Sequence, residues 1–426
     1  MTRAHRIRIA TTFAVLLASR DLAGQTSSGR PQLPAPTGPL AVARIDFQWT
    51  DPTRRDSDES SNRELLVHVA YPTRSPGTSR VPYIQDFDAV RKTLSSSELT
   101  GLFRPAPYSW LETNGLPETH MTEGAPIAPG EKYPILIFSH GLGNAHFLYT
   151  AEIEDLVSHG YVVVAIDHAP DAAFVWLANR RFIPYAADAW SREMRKPGGY
   201  VAYAKKRIEQ VWAPDIRFVI DQLIRYNDMP SLAAPFGGHL DVNRIGAFGH
   251  SMGGLAAVRA CQLEPRIRAC MNQDADVAGS PFIDPLPQLL QPLLFVTAAT
   301  ANVFKESFVR PPDAALAEMK TSRAQYDADV KRVQRNQDVA MASVSGGSYR
   351  VLIDIPGFIH RSFSDLTLLA AENDLTVRAD ALRDFRISQK YTLAFFDKFL
   401  KGRKDTQLDR LPTFDPGVQV DRFGTR

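Results

Sequence analysis

The sequence predicts an α/β protein with a doubly wound, mostly parallel β-sheet and helices on both faces. Its middle apolar runs are continuous in Val, Ile, Leu and Phe, which is typical of strands buried on both sides. The segments between them carry apolar residues at three- and four-residue spacing, as amphipathic helices do. Because strands and helices alternate, right-handed crossovers are expected. The predicted strands are residues 43–49, 65–71, 133–139, 161–166, 244–248, 269–272, 292–297 and 349–355, and the predicted helices are 151–158, 202–226, 255–263 and 379–400.

The composition is typical of a soluble globular protein. Its 426 residues are 44% hydrophobic and 23% charged, with a formal net charge of +2. This charge balance gives no reason to expect a nucleic-acid partner. One catalytic domain is expected over residues 41–402, followed by a C-terminal tail at 403–426. The sequence leaves the oligomeric state open.

The N-terminus has the form of a secretory signal. A basic start is followed by an apolar run over residues 9–18, which is too short to span a bilayer. We therefore expect a signal peptide over residues 1–24 and export to the periplasm or the medium. Residues 25–40 are rich in Pro, Gly and Ser and are expected to be a disordered lead-in. The alternative for the first segment is an amphipathic start that is not cleaved.

Two stretches interrupt the alternation of strands and helices, about residues 171–200 and 304–345. Both are expected to be insertions at the rim of the catalytic site. The first carries four aromatic residues that would suit an acyl chain or would simply pack the insertion: Phe174, Trp176, Phe182 and Trp190. The second is highly charged, and whether it forms a lid, a lipid-contacting face or a loop is left open.

No cofactor and no metal site are expected. The histidines at 140, 146, 159 and 168 lack the spacing of helical metal-ligand motifs. The only cysteines, Cys261 and Cys270, have no metal-ligand spacing either. In an exported protein they could form a disulfide, and two buried thiols are an equally good interpretation.

The run G-H-S-M-G at 249–253 predicts a nucleophilic serine. It lies between a predicted strand and a predicted helix, which is the context of a nucleophile elbow. Glycines beside Ser251 let strand and helix approach closely and allow a strained backbone at the serine. The alternative is a glycine-rich bend with no chemical role.

The base and the acid follow the serine in chain order in such folds. His360 is the only histidine after Ser251, so it is the predicted base. Asp274 is the first carboxylate after the strand that follows Ser251 and is the predicted acid, with Asp276 as the alternative. Backbone N–H groups of Met252 and Leu142 are predicted to form the oxyanion hole; Leu142 follows a strand in the turn S-H-G-L-G at 139–143.

Together, these motifs resemble the plasma-type platelet-activating factor acetylhydrolases, also called lipoprotein-associated phospholipases, of the α/β-hydrolase superfamily. The resemblance rests on S-H-G-L-G (139–143), G-H-S-M-G-G (249–254), Asp274, G-F-I-H-R-S-F-S-D (357–365) and E-L-L-V-H-V-A-Y-P (64–72). It spans roughly residues 43–400. It implies the triad Ser251, Asp274 and His360, oxyanion donors at Leu142 and Met252, and calcium-independent hydrolysis of short or oxidised acyl esters of phospholipids.

This chain departs from the animal enzymes of that group at several points. Met252 stands where an aromatic residue is common, and the segment 304–345 is longer. The resemblance still implies an exported serine esterase acting on short-acyl phospholipids or related lipid esters, with peripheral contact to a lipid surface. The alternatives are a general carboxylesterase or polyester hydrolase, and a non-catalytic lipid-binding protein with the same fold.

Overall fold

The structure is a computed structural model of the whole chain. It describes residues 30–56, 61–104, 108–130, 132–179, 181–194, 199–229, 235–275, 289–298, 316, 322–370, 375–410, 413 and 415–424. The predicted signal peptide and Asp276 lie outside these ranges. Among the described helices, none combines the length and the apolar composition that crossing a membrane requires.

One large sheet contains eleven of the described strands, in the order β13-β12-β11-β10-β9-β5-β6-β2-β1-β4-β3. Strands β7 and β8 form a separate hairpin. The strands are β1 (Ala41–Arg55), β2 (Asn62–Thr73), β3 (Arg80–Pro82), β4 (Glu118–Glu123), β5 (Tyr133–Ser139), β6 (Val162–Asp167), β7 (Phe174–Trp176), β8 (Phe182–Pro184), β9 (Leu240–His250), β10 (Ile267–Gln273), β11 (Leu293–Ala298), β12 (Ser348–Ile353) and β13 (Val418–Phe423).

The centre of the sheet is parallel. Strands β6, β5, β9, β10, β11 and β12 pair in parallel in that order. Antiparallel pairs extend the sheet at its ends, with β13 against β12 and with β2 between β6 and β1. The predicted doubly wound, mostly parallel α/β fold is therefore confirmed.

Helices cover both faces of this sheet. On one face, α7 and α8 pack with the apolar side chains of the central strands. On the other, α4 and α11 close a second core. The described helices are α1 (Phe87–Thr93), α2 (Ser96–Phe103), α3 (Tyr108–Asn114), α4 (Thr150–Ser158), α5 (Ala187–Met194), α6 (Gly199–Arg207), α7 (Ala213–Asp228), α8 (Met252–Leu263), α9 (Arg323–Ala342), α10 (Asp365–Ala370) and α11 (Leu375–Leu400).

The expectation of a disordered lead-in at 25–40 is wrong for residues 30–40, the part of it that the structure describes. Residues 30–40 pack against the domain, with Leu33 only 4% exposed. The backbone N–H and the hydroxyl of Thr37 both donate to Asp155, and the N–H of Gly38 donates to the Ser158 hydroxyl. These hydrogen bonds to the C-terminal part of α4 hold residues 30–40 against the domain. The Pro- and Gly-rich composition of the segment does not indicate them.

Three other segments contain more regular structure than the sequence suggested. The expected C-terminal tail, 403–426, contains β13, which pairs along the full length of β12. The insertion at 171–200 contains the β7–β8 hairpin and α5. In the described part of the insertion at 304–345, α9 is the main element. The predicted helix at 202–226 is instead α6 and α7, joined by a π-helical turn at Ile208–Trp212.

The topology brings the predicted site residues to one edge of the sheet. Ser251, Asp274 and Leu142 follow the carboxyl ends of β9, β10 and β5, and His360 lies on the loop after β12. These four strands are parallel, so their carboxyl ends lie at the same edge, where ligands bind in open α/β sheets.

Candidate active site

Ser251 occupies a strained turn between β9 and α8. Its φ of 54° and ψ of −126° are unusual for a residue with a side chain. A Cβ on Gly249 would lie 2.5 Å from the backbone of Gly253, and one on Gly253 would lie 2.1 Å from the carbonyl oxygen of Ser139. Both positions therefore require glycine, as the elbow interpretation of this run predicts.

Asp274 and His360 form a direct pair. Nδ1 of His360 lies 2.7 Å from Oδ2 of Asp274. The other carboxylate oxygen of Asp274 accepts hydrogen bonds from the Thr297 hydroxyl at 2.7 Å and from the Ala298 N–H at 3.0 Å. Because Asp274 is buried and held from three sides, it fixes the imidazole orientation and leaves Nε2 of His360 available to a reactant.

His360 also lies beside the elbow itself. Its ring centroid is 4.4 Å from that of His250, the residue before Ser251. The ring of Phe363, on the same loop, stacks on His250 at 5.8 Å. Burial, and then the adjacent His360, hold the pKa of His250 well below its ordinary value. His250 is therefore neutral and does not compete for the proton that a catalytic His360 would carry.

The loop after β5 presents one backbone donor. The Gly141 N–H donates to the Tyr149 hydroxyl at 3.0 Å, and the Gly143 N–H donates to the Asp171 carbonyl at 2.9 Å. No acceptor among the described residues takes the N–H of Leu142 between them, or that of Met252 at the start of α8. These are the two donors that the sequence predicts for an oxyanion hole.

Tyr149 is a site residue that the sequence analysis missed. Its hydroxyl accepts from the Gly141 N–H and from Asn144 Nδ2 and donates to Nδ1 of His250 at 2.8 Å. It thereby joins the loop after β5 to the elbow. No local pattern distinguishes this tyrosine, because its role arises from a contact between elements far apart in the chain.

The four predicted rim aromatics do not form one wall. Phe174 stacks on Phe182 at 5.8 Å, and Trp176 meets Phe182 edge-on at 5.4 Å. Trp190 instead packs on Tyr203. Tyr185, directly after β8, comes closer to the predicted oxyanion loop, since a Cβ on Gly143 would lie 3.7 Å from its ring.

A buried serine–histidine–aspartate chain begins at Ser139, the last residue of β5. Nε2 of His168 is 3.0 Å from the Ser139 hydroxyl, and Nδ1 is 2.9 Å from Asp215. All three side chains are fully buried. Burial alone would raise the pKa of Asp215, but Arg63 and His168 hold it below its ordinary value. This buried chain supports the base of the loop after β5, because the His168 N–H donates to Nε2 of His140.

The fold is that of the α/β-hydrolase class, and the predicted serine, aspartate and histidine lie at the carboxyl edge of its sheet. The model of the family "Platelet-activating factor acetylhydrolase, isoform II" matches residues 26–181 and 227–414. The chain therefore belongs to that family, as its motifs indicated, and it is an enzyme acting on carboxylic esters.

Individual relatives are distant. Platelet-activating factor acetylhydrolase of Canis lupus familiaris is 23% identical over 90% of this chain and 81% of its own length. A probable 1-alkyl-2-acetylglycerophosphocholine esterase of Arthroderma benhamiae is 25% identical over 58% of this chain and 59% of its own length. The solved ferulic acid esterase from Streptomyces cinnamoneus matches with a TM-score of 0.65 at 24% identity, covering 92% of this chain and 99% of the solved one. This last likeness supports the fold.

Proposed function

We propose that this chain is an exported serine esterase that hydrolyses short-acyl, platelet-activating-factor-like phospholipids through an acyl-enzyme on Ser251. The observation that carries the mechanism is the 2.7 Å pair of His360 and Asp274 beside a strained serine turn. The substrate class follows from the names of the relatives, which act on 1-alkyl-2-acetylglycerophosphocholine or platelet-activating factor.

Each predicted residue has a defined role in this reaction. Ser251 Oγ attacks the ester carbonyl while Nε2 of His360 takes its proton, and Asp274 stabilises the resulting imidazolium. The N–H groups of Leu142 and Met252 bind the negative oxygen of the tetrahedral intermediate. His360 then protonates the departing alcohol. Water attacks the acyl-enzyme with His360 again as base, releasing the acid and restoring Ser251.

Export is supported by the N-terminal sequence and by the cysteines. The structure joins Cys261 and Cys270 in a disulfide, the pairing that the sequence left open. Disulfides persist in oxidising compartments and are rare in the cytosol. Detection of the protein in the periplasmic or extracellular fraction, with a mature N-terminus near residue 24, would test this part of the proposal.

The activity is tested with an ester series on the mature protein. The substrates are p-nitrophenyl esters from acetate to long acyl chains, a 1-alkyl-2-acetyl phosphocholine and a long-chain phosphatidylcholine. Wild type is compared with Ser251→Ala and with a control, Ser97→Ala, on an exposed position of α2. A fluorophosphonate, located by peptide mass spectrometry, reports which serine is nucleophilic.

Three results are distinguishable. Turnover that Ser251→Ala abolishes, with preference for short acyl groups including the acetyl phospholipid, supports the whole proposal. Turnover of the small esters alone, if it still depends on Ser251, supports the proposed mechanism and excludes the phospholipid as substrate. Equal activity in wild type and Ser251→Ala, or labelling of another serine, rejects the nucleophile.

A further inference from the structure

A cavity of about 480 Å³ opens beside the first strands of the sheet, and its described lining includes none of the proposed triad. Its walls are partly aromatic, with Phe147, Phe174 and Trp176. Two histidines and two aspartates lie together in its lining: His68, His146, Asp46 and Asp167. No step of the proposed ester hydrolysis uses these four side chains.

Three of these residues hold their possible ligand atoms close together. Nδ1 of His146 lies 2.7 Å and Nε2 of His68 lies 3.3 Å from the same oxygen, Oδ2 of Asp167. One ligand atom from each residue lies within 4.8 Å of the others. The rings of His68 and His146 stack with their centroids 3.4 Å apart and an interplanar angle of 19°, and both nitrogens lie beside one carboxylate oxygen. A rotation of the rings would direct both nitrogens to one point. Donors around a tetrahedral Zn²⁺ are about 3.4 Å apart, given bonds of about 2.1 Å, so a small separation of the side chains would admit an ion.

The surroundings hold these donors in place. Asp46 and His68 are directly opposite each other on β1 and β2, and Nδ1 of His68 lies 2.9 Å from Oδ1 of Asp46. Arg44 in turn binds both oxygens of Asp46 at 2.9 Å. The second oxygen of Asp167 accepts the His146 backbone N–H at 2.9 Å. A carboxylate on the far nitrogen of a ligating histidine is the usual support of a metal site, because it fixes the tautomer and the ring orientation.

We propose that His68, His146 and Asp167 bind a divalent transition-metal ion, with Asp46 as the supporting carboxylate of His68. Two imidazoles and one carboxylate suit Zn²⁺ and its neighbours, whereas Ca²⁺ and Mg²⁺ prefer oxygen ligands. On binding, His68 releases its Nε2 proton to solvent and keeps the Nδ1 proton that faces Asp46, whereas the single proton of His146 moves from Nδ1 to Nε2, so that both side chains coordinate as neutral imidazoles. A position left open on the ion would face the cavity, where water can complete the coordination.

Without an ion, the charges inside the cluster already offset one another. Asp46 and Asp167 carry two negative charges, and Arg44 supplies one positive charge. Burial alone would lower the pKa of His68, but Asp46 and Asp167 raise it, which favours a second positive charge there. The rim of the same cavity adds Asp86 and Glu123. A purely structural cluster of hydrogen bonds is the competing explanation, and it predicts no stoichiometric binding of metal.

The test uses untagged mature protein that has been treated with a chelator and then dialysed. Equilibrium dialysis against Zn²⁺, read by elemental analysis, should give one ion per chain, and Ca²⁺ should give none. Co²⁺ should bind with visible absorption bands typical of four- or five-coordinate sites. Thermal unfolding should shift upward with Zn²⁺ concentration, since the ligand binds only the folded state.

Three variants locate the site. His146→Ala should weaken Zn²⁺ binding by more than about 100-fold, and Asp46→Asn, which removes a supporting partner, by about 10- to 100-fold. His120→Ala is the matched control: His120 also pairs with a carboxylate, Glu154 at 2.7 Å, but has no second histidine there. It should bind like wild type.

The proposal is overturned if wild type binds less than one ion per chain, or if His146→Ala and Asp46→Asn bind as tightly as wild type. Asp46→Asn preserves side-chain volume and decides the question should His146→Ala not fold. None of these readouts depends on esterase activity, so the result stands apart from the proposed triad.

Discussion

The hydroxyl of Tyr149 lies 2.8 Å from Nδ1 of His250 and so ties the loop after β5 to the residue before Ser251. Burial raises the pKa of Tyr149, which keeps the phenol protonated and able to donate. One side chain thus sets the spacing between the predicted nucleophile and one predicted oxyanion donor.

Replacing Tyr149 with Phe should lower kcat about 10- to 100-fold with little change in KM. The Gly141 N–H and Nδ1 of His250 would lose their partner, and the loop carrying Leu142 would shift relative to Ser251. Steady-state kinetics on p-nitrophenyl acetate measures this split. Tyr161→Phe is the control, because its buried hydroxyl binds Asp397 instead. An equal loss of kcat in both variants would indicate general destabilisation.

Replacing Asp274 with Asn should lower kcat about 10³- to 10⁴-fold, because the amide would favour the wrong tautomer of His360. Asp276→Asn, at the alternative acid, should retain wild-type activity. Circular dichroism of each variant checks that it folds. The assignment fails if Asp276→Asn is the inactive variant and Asp274→Asn is not.

Glu152 should make stability depend on pH. It is fully buried in α4, accepts a 2.7 Å bond from Gln273, and burial raises its pKa to about 8. The folded state keeps this proton while the unfolded chain releases it above about pH 4.5. The stabilisation is therefore complete below pH 4.5 and is lost as pH rises through about 8.

The Glu152→Gln variant should lack this part of the pH dependence. Between pH 5 and pH 8.5 the free energy of unfolding of wild type should fall relative to the variant by on the order of 4 kcal/mol. Urea denaturation at several pH values measures the difference. Asp365, whose pKa burial also raises to about 8, is present in both proteins, and its charge is one of the causes that raise the pKa of Glu152. An exposed control, Glu118→Gln, should follow wild type; parallel curves for Glu152→Gln would refute the expectation.

The disulfide should contribute stability without being needed for the chemistry. Cys261 on α8 and Cys270 on β10 close a loop with a sequence separation of 9. A loop of that size corresponds to about 2.5 kcal/mol. The double variant Cys261→Ala, Cys270→Ala should unfold at lower denaturant concentration yet retain kcat when folded. A reductant should then lower the stability of wild type alone; no effect on either protein would argue against the bridge.

The central architecture was predictable because buried parallel strands leave a continuous apolar signal. Every predicted strand corresponds to an observed one, and β5 matches to the residue. Strand β4 (ETHMTE) could not be predicted because it is short and polar, and because its pairing with β1 depends on tertiary contacts. Strand β13 (VQVDRF) has the alternating pattern of an edge strand, but it lies in the C-terminal segment that was predicted to be a tail.

Of the proposed triad, His360 could be selected from chain order alone, since only one histidine follows Ser251. Ser251 was indicated by the G-H-S-M-G run and Asp274 by the predicted strand before it, with Asp276 as the alternative. Side chains that act across elements could not be selected in this way. Tyr149 contacts His250 although the two residues lie 101 positions apart in the chain. Spacing rules for metal ligands apply to residues on a single helix. His68 and His146 are brought together by a strand and a distant loop, for which no spacing rule exists.

The buried serine–histidine–aspartate chain differs from the proposed triad in one respect that a comparison of residue types alone would overlook. Ser139, His168 and Asp215 reproduce the bonding order of a hydrolase relay, yet no solvent reaches them. His360, by contrast, has a side chain that is 22% exposed. A comparison by residue type and bonding order alone would therefore identify two reactive centres in this enzyme. Titration with a covalent inhibitor would count only a centre that a molecule from solution can reach.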